Sequence, residues 1–291
     1  MVIRGLVTAY LPAIDAEFNR LTQFDAHDGK SRKLIWQFLD NSAILVPLLD
    51  ELSAVFDGVL GAGWQYFGSV GNIYSGDTGW HPDNFSHHHR AKVALYLDPI
   101  GPGHGGLSVM PMSHRVAREM NEVHLAVGMS MKSIGLQASE IPCVTLSTEP
   151  GDAVVFNHNL MHASFNGGDK RRMISINAHA RYRDDQRGTL EDDVCRFSRF
   201  LAPDFYGPEI MRNKLESRAS HLDQVLSCTD VYHDSLKRRL SVTKTQARDP
   251  LPDLSDNTVP EVVIAELLRD NDYAAPADWL QAMRSRSESA P

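Results

Sequence analysis

The chain has 291 residues, of which 42% are hydrophobic and 23% are charged, and its formal net charge is −8 at pH 7. This is the composition of a globular protein rather than a disordered one, with enough apolar residues for one large core or two smaller ones. The negative charge argues against nucleic acid or an anionic membrane as the main partner.

The cysteines and the apolar runs of the sequence indicate the cellular compartment in which the protein is expected. Cys143, Cys195 and Cys228 are far apart and lack CxxC or CxH spacing, which argues against a structural zinc site or a disulfide framework. No run reaches the roughly 18 apolar residues of a membrane span, and the first residues have too short an apolar run for a secretory signal. We therefore expect a cytoplasmic protein with no membrane partner.

Residues 1–62 are predicted to form a mainly helical N-terminal part. Within it, residues 42–60 (SAILVPLLDELSAVFDGVL) place apolar side chains at the spacing of an amphipathic helix. The glycines of residues 61–64 (GAGW) then end the pattern, as glycine commonly does at a helix C-terminus. Helices are therefore expected ahead of the first strands.

A β-rich core is predicted for residues 64–183. Its short apolar runs are separated by Gly, Pro, Asp and Asn, which is typical of an antiparallel sandwich or barrel. The strand-like runs are WQYFGSVGNIY (64–74), AKVALYLDP (91–99), GLSVMP (106–111), CVTLS (143–147), DAVVFNH (152–158) and RMISINAHARYR (172–183). We expect a mainly β fold with helical flanks, in a single domain that spans residues 1–291.

Residues 190–291 are predicted to form a helical C-terminal extension. The pattern loosens at residues 243–261, which are rich in Pro and Asp, before an amphipathic segment at 262–273 (VVIAELLRDNDY). The extension carries no recognisable chemistry. A lid, a dimer contact and a plain scaffold are alternative roles for it, so a homodimer remains an open expectation.

The stretch GWHPD at residues 79–83 places His81 and Asp83 just ahead of a predicted strand. On a strand, residues two apart project from the same face, so an imidazole and a carboxylate would point at one place. This is half of a metal site. Without a second half, a His-x-Asp pair is more commonly a pair of solvated polar residues.

The second half follows the predicted strand at 152–158. His162 lies at a strand end, Ser164 comes two residues later, and Arg171 and Arg172 open the next strand. Two histidines and one carboxylate are the facial ligand set of non-haem Fe(II) oxygenases, which leaves other positions on the metal open. Those positions suit a bidentate 2-oxo acid and O2, and a guanidinium beside a hydroxyl suits the distal carboxylate of 2-oxoglutarate.

These segments resemble the phytanoyl-CoA dioxygenase (PhyH) family of Fe(II)/2-oxoglutarate oxygenases. The resemblance is carried by the HPD at 81–83, by YLDPIGPGHGGLSVMPMSHR at 96–115 and by GDAVVFNHNLMHASFNGGDKRRM at 151–173. It extends over residues 64–183 and covers neither flank. The three segments in this order are a far more specific signal than the HPD alone.

The resemblance implies a double-stranded β-helix, a relative of the jelly roll and of the cupins. It implies that iron is bound by His81, Asp83 and His162, which would make these the catalytic residues. It further implies that Ser164 and Arg171 bind the distal carboxylate of 2-oxoglutarate. The expected cofactors are Fe(II) and 2-oxoglutarate as a co-substrate, and the expected partners are O2 and a small-molecule substrate.

Two of these residues have rivals in the sequence. His158 is expected to share a strand face with His162, but only His162 has Ser164 and the arginine pair at suitable offsets. Adjacent residues on a strand face opposite ways, so only one of Arg171 and Arg172 can point inward. The resemblance favours Arg171.

Other polar residues near the motif have simpler interpretations. Consecutive residues of the triplet at 87–89 (HHH) cannot all reach one ion from a strand, so a solvated loop is favoured. Lys92, Tyr96, Asn72 and Tyr74 are placed where they would face a pocket, but core or surface packing is the favoured interpretation of each.

The predicted function is that of a dioxygenase that hydroxylates a small metabolite or biosynthetic intermediate, with succinate and CO2 as co-products. Desaturation and other oxidative outcomes stay open. A halogenase of the same fold is one alternative, although halogenases lack the carboxylate ligand that Asp83 provides. A non-oxygenase metal-binding protein of the cupin type is the other, and in it Ser164 and Arg171 would have no task.

Overall fold

The computed structural model describes residues 1–22, 32–84, 86–115, 138–168, 170–213, 216–246 and 273–274. In this part of the chain, two β-sheets lie face to face and helices cover the outer surface of the larger sheet. Strands β1 to β11 are Val2–Ile3, Arg32–Trp36, Gln65–Tyr74, Thr78–His81, Arg90–Tyr96, Leu107–Val109, Val144–Thr145, Ala153–Asn157, His162–Ser164, Arg171–His179 and Tyr273–Ala274. Helices α1 to α7 are Leu11–Thr22, Leu48–Leu60, Arg187–Phe197, Pro208–Arg212, Glu216–Ala219, Asp223–Leu226 and Thr229–Gln246.

The strands form a jelly roll. The larger sheet has seven described strands in the order β1-β8-β5-β10-β3-β2-β11, and the smaller sheet has four in the order β4-β9-β6-β7. Pairing is antiparallel except between β11 and β2. From β3 to β10 the chain passes repeatedly from one sheet to the other, which confirms the predicted double-stranded β-helix.

Both faces of the larger sheet are buried, and the alternation along β5 shows how. Val93 and Leu95 face the helices, in the main hydrophobic core. Ala94 and Tyr96 point the opposite way and pack with Leu107 of the smaller sheet. Because side chains alternate along a strand, the polar residues that share the face of Ala94 and Tyr96 lie between the two sheets.

The N-terminal part contains strands that the sequence did not predict. Helix α2 ends as expected at Gly61, whose φ of 85° is a conformation that glycine adopts readily. Strand β2, however, comes before α2 and pairs with β3 in the larger sheet. Leu34, Ile35 and Trp36 are all buried. A five-residue strand with no polar alternation gives no period-2 signal, which explains why it was missed.

The described part of the C-terminal extension contains helices α3 to α7. The amphipathic segment predicted at 262–273 lies outside the described residues except for its last residue, which begins β11. Within the described ranges, no helix combines the length and the apolar character needed to cross a membrane.

Candidate active site

His81, Asp83 and His162 lie together between the two sheets. His81 is the last residue of β4 and His162 the first of β9, and the two are direct partners across these antiparallel strands. Their rings are 4.4 Å apart between centroids. One ligand atom from each of the three residues lies within 4.8 Å of the others, and no other such group of three occurs among the described residues.

Both imidazoles are oriented by backbone carbonyls. Nδ1 of His81 is 2.8 Å from the carbonyl oxygen of Gly79, and Nδ1 of His162 is 2.8 Å from that of Leu160. A carbonyl can only accept, so in each neutral ring Nδ1 carries the proton and Nε2 keeps its lone pair. Burial lowers the pKa of His162 to about 4, which keeps this ring neutral at physiological pH. This is how metal-binding histidines are commonly held.

Asp83 reaches the cluster from a bend, not from the strand. Strand β4 ends at His81, so the expectation that both residues project from one strand face was wrong. Pro82 has no N–H to continue strand pairing. The N–H of Asp83 instead donates to the carbonyl oxygen of His158 at 2.9 Å, which turns the carboxylate toward the imidazoles.

The Asp83 carboxylate is held in its charged form. Oδ1 lies 2.7 Å from Nζ of Lys92, and Oδ2 lies 4.0 Å from Nε2 of His162. Burial raises the pKa of Asp83, but the Lys92 ammonium and the nearby histidines outweigh burial and hold the pKa well below its usual range. An ionised carboxylate beside two imidazoles that donate through Nδ1 to backbone carbonyls is suited to a divalent cation.

Arg171 and Ser164 form a second polar group in the same interior. Arg171 is the first residue of β10 and is 6% exposed. Its Nη1 donates to the Ser164 hydroxyl and, at 2.8 Å, to the carbonyl oxygen of Gly105, while Nη2 donates to that of Gly76 at 2.6 Å. Its Nε is buried without a hydrogen-bond partner. The guanidinium is therefore held in place with donor capacity to spare.

Two glycines make room for Arg171. A Cβ on Gly167 would lie 2.2 Å from Nε of Arg171, and a Cβ on Gly105 would lie 2.5 Å from its Cδ. Gly105 also has a φ of +73°, which disfavours any other residue. Sequence reasoning did not identify these glycines, since nothing in the local sequence shows which side chain they accommodate.

One cavity connects the metal-binding cluster and the arginine. All five predicted site residues line it. Lys92, Tyr96 and Tyr74 line it as well, although Tyr96 and Tyr74 also pack with the apolar residues between the sheets, as expected. The hydroxyl of Tyr74 donates to Oδ1 of Asn72, which is buried and does not line the cavity.

The two rivals point elsewhere. His158 is buried outside the cluster, its ring 5.8 Å from that of His179, and it acts on Asp83 through its backbone carbonyl. Arg172 points away from the cavity and forms ion pairs with Asp15 and, at 2.9 Å, with Asp98. The structure thus separates each rival from the residue that was preferred.

The histidine triplet divides in two. His87 and His89 are exposed, as predicted for a solvated loop. His88 is buried, and its ring stacks on Tyr182 at 3.8 Å between centroids with Nε2 2.8 Å from the carbonyl oxygen of Ala180. Burial lowers the pKa of His88 to about 4, so its role here is packing.

The turn at residues 111–115 (PMSHR) contacts the segment that leads into β9. The Ser113 hydroxyl accepts a hydrogen bond from the N–H of Met161 at 2.9 Å and donates one to the carbonyl oxygen of Met110 at 2.9 Å. Met161 directly precedes His162. The turn therefore fixes the start of β9, a contact that the sequence motif alone did not explain.

Comparison with known proteins gives one family and several distant structures. The model of the family described as phytanoyl-CoA dioxygenase (PhyH) matches residues 9–174, more than half of the 291 residues. No curated protein sequence matches the chain.

The solved structures that resemble the chain are low in sequence identity. HygX from Streptomyces hygroscopicus, solved with nickel and 2-oxoglutarate, is 17% identical with a TM-score of 0.49, covering 62% of this chain and 83% of its own. The 2-oxoglutarate-dependent epimerase SnoN from nogalamycin biosynthesis is 16% identical with a TM-score of 0.49, covering 62% and 78%. AviO1 from Streptomyces viridochromogenes Tue57 is 20% identical with a TM-score of 0.45, covering 59% and 84%.

Proposed function

The chain belongs to the phytanoyl-CoA dioxygenase (PhyH) family, and from that premise we propose that it is an Fe(II)- and 2-oxoglutarate-dependent oxygenase. We propose further that it hydroxylates a small-molecule metabolite or biosynthetic intermediate. One observation carries the proposal: two imidazoles and an ionised carboxylate share a cavity with a buried arginine.

The donor set fits iron. His81, Asp83 and His162 offer two nitrogens and one oxygen from one side of the cavity, within 4.8 Å of one another. This combination is typical of non-haem Fe(II) sites that keep positions free for other ligands. Structural zinc sites, by contrast, are usually closed by four protein ligands.

The other end of the cavity fits the distal carboxylate of 2-oxoglutarate. Arg171 has a buried Nε with no hydrogen-bond partner, and the Ser164 hydroxyl lies against its Nη1. A guanidinium can bind a carboxylate through two parallel hydrogen bonds, and such charge-assisted bonds are among the stronger ones in proteins. Ser164 and Arg171 would therefore bind the co-substrate at the end opposite its 2-oxo acid group.

The bound cofactors would supply the oxidising chemistry, in which O2 would contribute one oxygen atom to succinate, formed with loss of CO2, and the other to the substrate. The protein's own contribution is to hold the groups that bind the cofactors in position. Carbonyl contacts fix both imidazoles, Lys92 and the His158 carbonyl fix Asp83, and the glycine-lined space fixes Arg171.

The alternatives fit the same residues less well. A halogenase needs space for halide where Asp83 places a carboxylate, so Asp83 counts against that reaction. A simple metal binder has no use for the buried guanidinium of Arg171, whose burial lowers its pKa and thus costs free energy. Neither alternative accounts for both features.

The substrate and the outcome of the reaction can be tested together. A metabolite library is incubated with protein, Fe(II) and 2-oxoglutarate in air, and succinate formation is measured against an Asp83→Ala control. We expect a subset of compounds to stimulate succinate formation and to gain one oxygen atom by mass spectrometry. A product of unchanged mass would refute hydroxylation. If no compound in the library stimulates succinate formation, the proposed substrate range is refuted.

A further inference from the structure

Lys92 contacts the one carboxylate of the metal-binding cluster. Its Nζ lies 2.7 Å from Oδ1 of Asp83, and the two side chains are only 14% and 19% exposed. Lys92 also lines the cavity that contains the cluster. Resting on the function proposed above, we propose that Lys92 is a positioning residue that keeps Asp83 a one-oxygen ligand of the metal.

The two oxygens of Asp83 have different neighbours. Oδ1 accepts from the Lys92 ammonium, whereas Oδ2 lies 4.0 Å from Nε2 of His162. The backbone N–H of Asp83 is occupied as well, since it donates to the carbonyl oxygen of His158. Hydrogen bonds thus hold both the backbone N–H and Oδ1 of Asp83. Oδ2 is the carboxylate oxygen that faces the imidazoles.

Lys92 lies on a strand that is paired on both sides. It lies in β5, where it is in register with Phe156 of β8 on one side and Asn177 of β10 on the other. Its Nζ also lies 5.8 Å from the centre of the Phe156 ring. Asp83, by contrast, lies on a bend after β4 of the smaller sheet. The ion pair therefore anchors a bend residue to the interior of the larger sheet.

The ion pair matters because a carboxylate can bind a metal through one oxygen or two. A second oxygen would fill a position that a 2-oxo acid and O2 require on a facially ligated metal. An ammonium on Oδ1 occupies that oxygen. It also repels a divalent cation, so the arrangement favours one-oxygen binding at some cost in metal affinity.

The test is Lys92→Met, which removes the ammonium and keeps an unbranched side chain. In anaerobic titrations, Co(II) should bind roughly threefold or more tightly than to wild type, because the repulsion is gone and Oδ1 is free. Binding of 2-oxoglutarate to the Co(II) form should weaken by roughly tenfold or more, because only two positions then remain and the second Asp83 oxygen crowds them. The visible absorption of bound Co(II) should change shape, and Lys92→Arg should restore the wild-type spectrum and both affinities.

Lys237→Met is the matched control. Lys237 forms an exposed ion pair with Asp234 at 3.8 Å, so the same substitution there should change none of these quantities. Folding is checked by thermal unfolding. Metal-free Lys92→Met should be less stable than wild type, because Asp83 loses its cationic partner, and Co(II) should stabilise it by more than it stabilises wild type.

Each other result overturns the role of Lys92. Weaker binding of both Co(II) and 2-oxoglutarate in Lys92→Met, with an unchanged Co(II) spectrum, would mean that the lysine only supports the fold. Unchanged affinities would mean that it has no role in the site. Wild-type protein that binds Co(II) but not 2-oxoglutarate would refute the proposed function and the role of Lys92 with it, a failure visible before any variant is made.

Discussion

Alanine substitutions of Arg171 and Arg172, made one at a time, test which of these two neighbours binds 2-oxoglutarate. Arg171 is 6% exposed and faces the cavity, so its contact with a carboxylate would be largely desolvated. Truncating one partner of such a pair costs about 2–5 kcal/mol. At about 1.4 kcal/mol per tenfold, Arg171→Ala should raise the apparent KM for 2-oxoglutarate by roughly 30-fold to several thousand-fold.

Arg172→Ala is the control from the adjacent position. The Arg172 side chain is 30% exposed and pairs with Asp15 and Asp98, so its loss should cost only about 0–1 kcal/mol of stability per pair. Because it does not face the cavity, the KM for 2-oxoglutarate should change by less than about threefold. The assay measures succinate formation with 2-oxoglutarate varied and O2 and substrate held constant.

Folding must be separated from binding in this comparison. Arg171 donates to the carbonyl oxygens of Gly105 and Gly76, so Arg171→Ala should also lower the melting temperature. Arg171→Lys keeps the charge but loses the forked geometry, and we expect an intermediate KM. A larger effect from Arg172→Ala than from Arg171→Ala would refute the assignment of the inward arginine. Equal small effects would refute 2-oxoglutarate binding at this end of the cavity.

Three further predictions concern the metal, the space around the guanidinium and pH. His162→Ala should abolish turnover and sharply weaken Fe(II) binding measured by anaerobic titration. Full activity in His162→Ala, with loss of activity in His158→Ala, would show that His158 is the ligand and that the assignment of His162 is wrong. Gly167→Ala should raise the KM for 2-oxoglutarate because its Cβ would overlap Arg171, while Gly58→Ala, which has open space, should not. Burial lowers the pKa of His158 to about 3 and of His162 to about 4, from 6.5. The unfolded chain therefore binds more protons than the fold below about pH 6.5, so stability to urea should fall as pH drops from 6.5 to 4, and a flat profile would contradict these pKa values.

The candidate metal ligands could be found in the sequence because their chemistry is local. A His-x-Asp pair and a later histidine followed by a hydroxyl and arginines are recognisable without tertiary information, and the structure brings His81, Asp83 and His162 together. The expectation that His81 and Asp83 project from the same face of a strand was nevertheless wrong. Pro82 ends strand pairing, and Asp83 is directed by the carbonyl of a residue 75 positions later in the sequence, a contact that no local pattern predicts.

The residues that were missed act through contacts that no local sequence pattern shows. Lys92 was read as a packing residue because a lysine on a strand usually is one, and its partner only becomes visible once the two sheets face each other. Gly105 and Gly167 matter because of the volume of Arg171. Strand β2 gives no alternating pattern because it is buried in the larger sheet. In each case the tertiary environment, rather than the local sequence, determines the role.

The most direct test of the proposed function is an anaerobic titration of the Fe(II)-loaded protein with 2-oxoglutarate, followed by the charge-transfer absorption of a 2-oxo acid chelated to Fe(II). We predict a saturable band that requires both Fe(II) and 2-oxoglutarate, that is absent from His162→Ala and that needs far more 2-oxoglutarate in Arg171→Ala. If wild-type protein gives no band, or binds 2-oxoglutarate equally well with and without Fe(II), the chain is not an oxygenase of this type.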